Sequence, residues 1–115
     1  MDPLIRSLLT ELRRGNLTLA VLSQLRTPPQ YGYSLVQLLE ELGVTIEQNT
    51  LYPLLRRLEK QKLVTSSWDT TDTRPRKYYE LSEYGGVEVF HQLKAEWITS
   101  TKKLYDVLNE GGEEE

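Results

Sequence analysis

The 115-residue sequence contains no cysteine, a single histidine and no long hydrophobic run. The absence of cysteine excludes disulfides, thiol nucleophiles and cysteine-based zinc sites. A membrane-spanning helix needs roughly 18 or more consecutive apolar residues, and the first residues do not pair a basic segment with an apolar block as a signal peptide does. The sequence therefore predicts a single-domain cytoplasmic protein.

Residues suited to catalysis are equally scarce. The single histidine, His91, has no second histidine or cysteine with which to share a metal ion. There is no glycine-rich phosphate loop and no H-E-x-x-H motif, and the adjacent carboxylates of Glu40 and Glu41 point to different sides of a helix. We therefore expect no enzyme activity, no cofactor and no metal site, with His91 at the surface or in an interface.

Positive charge is in the minority, with 14 Lys and Arg against 17 Asp and Glu, a formal net charge of −3. Taken alone, this total argues against a nucleic-acid partner. The charges are unevenly distributed, however: residues 1–43 are neutral, residues 44–79 carry +3 and residues 80–115 carry −6. Because salt screens charges over about 10 Å, a partner would meet the local charge of the basic middle segment.

The N-terminal half has helical periodicity. Apolar residues at 3–4 spacing predict a helix over residues 4–25, interrupted at Gly15-Asn16, with Asn16 capping a second helical piece. Ser34, with a glutamine three residues later, has the capping-box spacing that starts a short second helix. Gly43 is placed to end that helix in a left-handed conformation.

The remaining sequence predicts one more short helix, two strands and a long helix. The third helix is expected over about residues 48–61. Alternating residues predict strands over 63–68 and 76–81, joined by a polar turn. The last helix is expected over 83–109, capped by the serine before it, and its apolar residues form a heptad-like seam.

Three helices followed by a two-stranded hairpin is the order of a winged helix-turn-helix. In that motif the N-terminal turn of the recognition helix contacts base edges in the major groove, and basic side chains contact phosphates. Capping of the third helix and pairing of the hairpin cations with nearby aspartates are the alternative roles for these residues. The candidate DNA-contacting residues are Gln48, Asn49, Thr50, Tyr52, Arg56, Arg74, Arg76 and Lys77.

The block TLYPLLRRLE at 50–59, the block RPRKYYEL at 74–81 and the upstream Gly32-Tyr33 resemble the PadR family of bacterial transcriptional regulators. The resemblance covers about residues 15–108 and is to the smaller subgroup with one C-terminal dimerisation helix. It implies an α+β, mostly α fold, and a cytoplasmic homodimer that binds a pseudo-palindromic DNA operator, usually as a repressor. Lys62 and Thr73 stand where the family usually has glycine.

The predicted organisation has three parts. Residues 1–81 form the winged helix-turn-helix domain, with an N-terminal helix that joins the dimer interface; residues 82–110 form the dimerisation helix, and residues 111–115 form a disordered acidic tail. A winged-helix module that binds another protein through the acidic C-terminal third is the alternative function. The predicted dimer-interface residues are Ile5, Leu9, Phe90, Leu93, Trp97, Ile98, Leu104, Tyr105 and Leu108.

Trp97 lies in the middle of the seam and has two interpretations. Some small members of the family that this sequence resembles bind flat aromatic effectors between such tryptophans, which makes Trp97 a candidate contact for a small aromatic effector. Alternatively, Trp97 is an anchor of the dimer core, since aromatic residues dominate interface packing.

Overall fold

The computed structural model describes residues 2–26, 28–83 and 85–110. The fold is mostly helical, with one small antiparallel sheet in the strand order β1-β3-β2, which confirms the predicted winged-helix class. The tail over 111–115 lies outside the described residues, and no helix among those described has the length and hydropathy to cross a membrane. The elements are α1 (Pro3–Ser23), β1 (Gln30–Tyr31), α2 (Gly32–Glu41), α3 (Gln48–Lys60), β2 (Val64–Asp69), β3 (Arg76–Leu81) and α4 (Gly86–Leu108).

One hydrophobic core joins the helices to the sheet. The second half of α1, one face of α2 and one face of α3 pack against the inner side of the β2–β3 hairpin and the first turns of α4. Burial of this apolar surface is the main stabilising contribution to the fold. The fully or almost fully buried core residues are Val21, Leu22, Leu25, Leu35, Leu39, Ile46, Leu51, Leu55, Leu58, Val64, Tyr79, Leu81 and Phe90.

The first helix is continuous, so the predicted interruption at Gly15-Asn16 is wrong. Asp2 caps α1 by accepting a hydrogen bond from the N–H of Leu4 at 2.7 Å. Asn16 lies inside the helix, and its side-chain oxygen accepts a hydrogen bond from Nε1 of Trp97 at 2.9 Å. One glycine in a helix costs only about 1 kcal/mol, which the packing of the following turns outweighs.

A third strand joins the sheet, so the predicted two-stranded hairpin is incomplete. In β1, Gln30 and Tyr31 pair with Tyr79 and Tyr78 of β3. This pairing holds Tyr31 in an extended conformation, so that α2 begins at the next residue. Ser34 is consequently the third residue of α2 rather than its N-cap, and its hydroxyl accepts a hydrogen bond from the N–H of Tyr31 at 3.1 Å.

Gly43 and Lys62 both adopt the left-handed backbone conformation. Gly43, at the end of α2, has φ +92°, as predicted. Lys62, where the resemblance to the PadR family predicts glycine, has φ +64°. A left-handed conformation costs a residue with a Cβ roughly 1 kcal/mol or slightly more, so Lys62 is a point of strain between α3 and β2.

Ser82 connects the sheet to the last helix. The last helix begins at Gly86 with Gly85 as its N-cap, so the predicted start at residue 83 with Ser82 as the cap is wrong. The Ser82 hydroxyl nevertheless accepts hydrogen bonds from the N–H groups of Gly86 at 2.6 Å and Gly85 at 3.2 Å. The same hydroxyl donates a hydrogen bond to the carbonyl of Lys62 at 2.9 Å. Gly86 is required here because a Cβ at this position would lie 2.2 Å from the carbonyl oxygen of Leu63.

Candidate nucleic-acid interface

The first turn of α3 presents polar side chains to solvent. Gln48, Asn49 and Thr50 are exposed, whereas Leu51 on the opposite side of the helix is completely buried. The N-cap residue of α3 is Glu47, so Asn49 and Thr50 lie within the first turn rather than at the capping position. Their amide and hydroxyl groups are therefore placed where a recognition helix contacts base edges.

Farther along α3, the two remaining candidates differ in exposure. Arg56 is exposed, whereas Tyr52 is half-buried. The ring of Tyr52 lies against Gly32 at the start of α2, where an added Cβ would be 2.2 Å from the tyrosine hydroxyl. The glycine of the Gly32-Tyr33 pair therefore allows α2 and α3 to approach closely, and Tyr52 helps to orient α3.

Basic side chains of the β2–β3 hairpin lie beside α3. Arg74 and Arg76 are exposed near the turn, and Lys77 is half-buried. The Lys77 ammonium group is 3.6 Å from a carboxylate oxygen of Glu59 on α3, and the same carboxylate accepts a hydrogen bond from Ser66 of β2. Glu59 thus links both strands of the hairpin to α3, a role that the sequence did not indicate.

The turn of the hairpin uses its first aspartate structurally. The Asp69 carboxylate accepts hydrogen bonds from the backbone N–H of Thr71 at 3.0 Å and from its hydroxyl at 2.7 Å. These bonds lower the pKa of Asp69, with a smaller contribution from Arg76. Lys77 therefore pairs with Glu59 rather than with a hairpin aspartate, and Asp69 interacts mainly with Thr71.

Two tyrosines that the sequence did not single out surround Arg76. The guanidinium carbon of Arg76 lies 4.7 Å from the centroid of the Tyr31 ring. Tyr31 and Tyr78 pack edge to face, with centroids 5.3 Å apart. Hydrogen bonding to Tyr78, followed by the influence of Tyr31, raises the pKa of Arg76. No local sequence pattern indicates this cluster, because it depends on the pairing of β1 with β3.

The residues of the predicted dimer surface lie on α1 and α4, outside α3 and the hairpin. Phe90 is only 3% exposed and belongs to the core of the protomer, where the Arg26 guanidinium lies 5.4 Å from its ring centroid. Leu9 is half-buried. The other predicted interface residues are exposed: Ile5, Leu93, Trp97, Ile98, Leu104, Tyr105 and Leu108.

An apolar groove of about 350 Å³ lies between α1 and α4. Leu19, Phe90, Trp97 and Ile98 provide its apolar lining. Its polar rim includes Asn16, Arg26 and Lys94.

His91 lies beside this region, exposed, with its ring centroid 5.5 Å from that of Phe90. Within the described ranges, no three His, Asp or Glu side chains are grouped so as to hold a metal ion.

Comparison with known proteins identifies the family. The model of the transcriptional regulator PadR-like family matches residues 21–91, a segment that contains α2, α3 and the hairpin. A PadR family transcriptional regulator from Eggerthella lenta is 44% identical, with a TM-score of 0.85 and 96% of each chain covered.

Two further solved structures are similar. A PadR-like transcriptional regulator from Bacillus cereus is 27% identical, with a TM-score of 0.74, over 90% of this chain and 99% of that one. Bacillus subtilis PadR in complex with operator DNA is 26% identical, with a TM-score of 0.61, over 66% of this chain and 46% of that one. Together, the winged-helix fold and these matches show that the chain belongs to the PadR-like family of transcriptional regulators.

Proposed function

We propose that this PadR-like regulator is a homodimeric repressor that binds a pseudo-palindromic DNA operator. The observation that carries the proposal is the exposed polar first turn of α3, together with a basic hairpin that contacts the last turn of the same helix through Glu59. This is the arrangement in which a helix enters the major groove while neighbouring cations contact phosphates. The solved complex of Bacillus subtilis PadR with operator DNA supports the same mode for this chain.

Exposure divides the candidate residues into two roles. We assign base contacts to the exposed side chains of the first turn of α3, and phosphate contacts to the exposed Arg56, Arg74 and Arg76. Tyr52 and Lys77 are half-buried. We assign them the orientation of α3 and of the hairpin, with any DNA contact made while they pack against Gly32 and Glu59, respectively. The first-turn residues with the base-contacting role are Gln48, Asn49 and Thr50.

The salt dependence of DNA binding tests the role of the hairpin. Replacing Arg74, Arg76 and Lys77 together by Ala should weaken operator binding by about tenfold or more. The slope of the logarithm of the association constant against the logarithm of the salt concentration should become shallower by about 2 to 3. Fluorescence anisotropy with a DNA site obtained by in-vitro selection measures both quantities.

A matched triple variant provides the control. Replacing Lys94, Lys102 and Lys103 of α4 by Ala removes the same charge from exposed positions away from the proposed DNA surface. This variant should retain most of the affinity. Equal losses in the two triple variants would mean that binding follows net charge alone and that the hairpin has no special role.

The exposed apolar side of α4 supports a second copy of this chain as its partner. Leu93, Trp97, Leu104 and Leu108 recur at heptad-like spacing, and no residue between 91 and 110 is buried within the protomer. A single helix projecting from a domain is marginally stable in water, whereas two such helices bury each other's seam. A two-fold dimer would also present two copies of α3 to the two half-sites of an operator.

A charge in the seam tests the dimer. Leu104→Asp should convert a dimer into a monomer in light scattering and weaken operator binding, because an aspartate in the interface would lose its hydration. Thr99→Asp adds the same charge on the opposite side of α4, about 200° around the helix from Trp97, and should remain dimeric. A dimeric Leu104→Asp variant would show that α4 is not the principal interface.

The groove beside Trp97 supports an effector as a second function. Its apolar lining and the cations Arg26 and Lys94 at its rim suit a flat aromatic anion. In a Trp68→Phe variant Trp97 is the sole tryptophan, because the chain contains two. Anilinonaphthalene sulfonate should then quench Trp97 fluorescence and weaken DNA binding; an unchanged Trp97 signal would leave Trp97 as a dimer anchor only.

A further inference from the structure

We infer that Tyr31 is a positioning residue that holds Arg76 of the hairpin ready for contact with a DNA phosphate. The inference rests on the proposed DNA-binding function and adds to it a residue outside both α3 and the hairpin. Tyr31 belongs to β1, the short strand that immediately precedes α2.

Strand register places the three side chains on one face of the sheet. Tyr31 lies directly opposite Tyr78, and Arg76 is two residues before Tyr78 on β3. Cross-strand partners share a face, and so do residues two apart on a strand. The pairing therefore brings Arg76 diagonally next to Tyr31, where its guanidinium carbon is 4.7 Å from the ring centroid.

A cation–π contact leaves an arginine hydrogen-bonding capacity for DNA. An arginine that stacks on an aromatic face uses the flat side of the guanidinium, while its five N–H donors point outward around the edge. These donors are available to the paired oxygens of a phosphate. A lysine has neither the planar face nor the forked donors, so it would not reproduce this arrangement.

Holding the guanidinium before DNA arrives should improve affinity. Long, flexible side chains lose conformational freedom when they are fixed in an interface, and this loss weakens binding. Tyr31 is attached through the adjacent Gly32 to α2, whose residues Leu35 and Leu39 are buried in the core. Arg76 is thereby tied to the body of the domain rather than only to the turn of the hairpin.

A double-mutant cycle on the full chain tests the inference. The variants are Tyr31→Leu, Arg76→Ala and the double variant, with binding to a selected DNA site measured by fluorescence anisotropy at fixed salt. Tyr31→Leu should weaken binding about two- to fivefold, the range expected for an exposed cation–π contact. It should have no further effect in the Arg76→Ala background, because the group that it positions is then missing.

Conservative variants separate positioning from folding. Tyr31→Phe keeps the ring and should bind DNA as the wild type does, whereas Arg76→Lys keeps the charge and should bind about two- to fivefold more weakly. Thermal unfolding shows whether each variant folds. If Tyr31→Leu fails to fold, the affinity of Arg76→Lys for the selected DNA site decides the result. Arg76→Lys binding as tightly as the wild type would contradict the inference.

The failures of the two proposals are distinguishable. If the wild-type protein selects no DNA site, the proposed function is wrong and the inference falls with it. If the wild type binds DNA but Tyr31→Leu weakens binding equally with and without the Arg76 side chain, only the positioning role of Tyr31 is overturned.

Discussion

Two regions of this protein differ in how completely their apolar residues are buried. In the winged-helix core, which runs from the second half of α1 to β3, Leu22, Leu35 and Leu55 are fully buried within one protomer. In the other region, Leu12 in the first half of α1 is 67% exposed and Leu108 in α4 is 74% exposed, although both helices are amphipathic. One region is therefore complete as a folded unit, whereas the other leaves apolar surface exposed, which the proposed dimer would cover.

Charge also varies along the chain, although its boundaries differ from those of burial. The basic segment, residues 44–79, contains α3 and the hairpin turn, whereas the acidic segment, residues 80–115, contains α4. The net charge of −3 therefore describes neither the basic nor the acidic segment. The proposed DNA surface carries the excess of cations, whereas α4 itself is neutral, with three acidic residues against three lysines. The other six acidic residues of the acidic segment lie before or after α4.

The largest expected effect tests the difference in burial. At a protein concentration low enough for monomers, Leu55→Ala should lower the free energy of unfolding by about 3 kcal/mol, because it leaves a cavity in the core. Leu108→Ala makes the same chemical change at an exposed position and should alter it by less than about 0.5 kcal/mol. Chemical denaturation measures both, and equal losses would mean that the α4 seam is already buried within one protomer.

The next effect concerns the connection between the two regions. Ser82→Ala should lower the free energy of unfolding by about 1 to 2 kcal/mol, since it removes the acceptor for the N–H groups of Gly85 and Gly86 at the start of α4. Ser7→Ala, at an exposed position in α1, should change it by less than about 0.5 kcal/mol. A Ser82→Ala variant as stable as the wild type would show that the start of α4 does not depend on the hydrogen bonds to the Ser82 hydroxyl.

The smallest effect has the opposite sign. Lys62→Gly should raise the free energy of unfolding by about 1 kcal/mol, because glycine adopts φ +64° without steric cost. Lys60→Gly, two residues earlier and at the end of α3, should lower it by up to about 1 kcal/mol. Destabilisation by both substitutions in thermal unfolding would argue against strain at Lys62.

The elements that follow local periodicity were predictable from the sequence. The third helix and the hairpin strands lie within about two residues of their predicted bounds, because buried leucines at 3–4 spacing and alternating strand residues are local signals. β1 was missed because its two residues become a strand only through pairing with β3, more than 40 positions away. The continuity of α1 through Gly15-Asn16 was missed because tertiary packing outweighs a weak local preference.

The candidate site was predictable in its residue types but not in its contacts. The polar start of α3 and the cations of the hairpin could be identified from sequence order alone. The pairing of Lys77 with Glu59 and the cation–π contact of Arg76 with Tyr31 depend on register and on the packing of α3 against the sheet. Such contacts join residues far apart in the chain, and no single-sequence pattern specifies them.

In-vitro selection of DNA from a random library tests the central claim most directly. A homodimer that reads DNA through two copies of α3 should enrich an inverted repeat with half-site centres about one helical turn, or a multiple of one turn, apart. Loss of enrichment in the Arg74, Arg76 and Lys77 triple alanine variant should follow. Failure of the wild-type protein to enrich any sequence, or enrichment of a single site without symmetry, would contradict the account, and a stable protein partner in its place would favour a protein-interaction module.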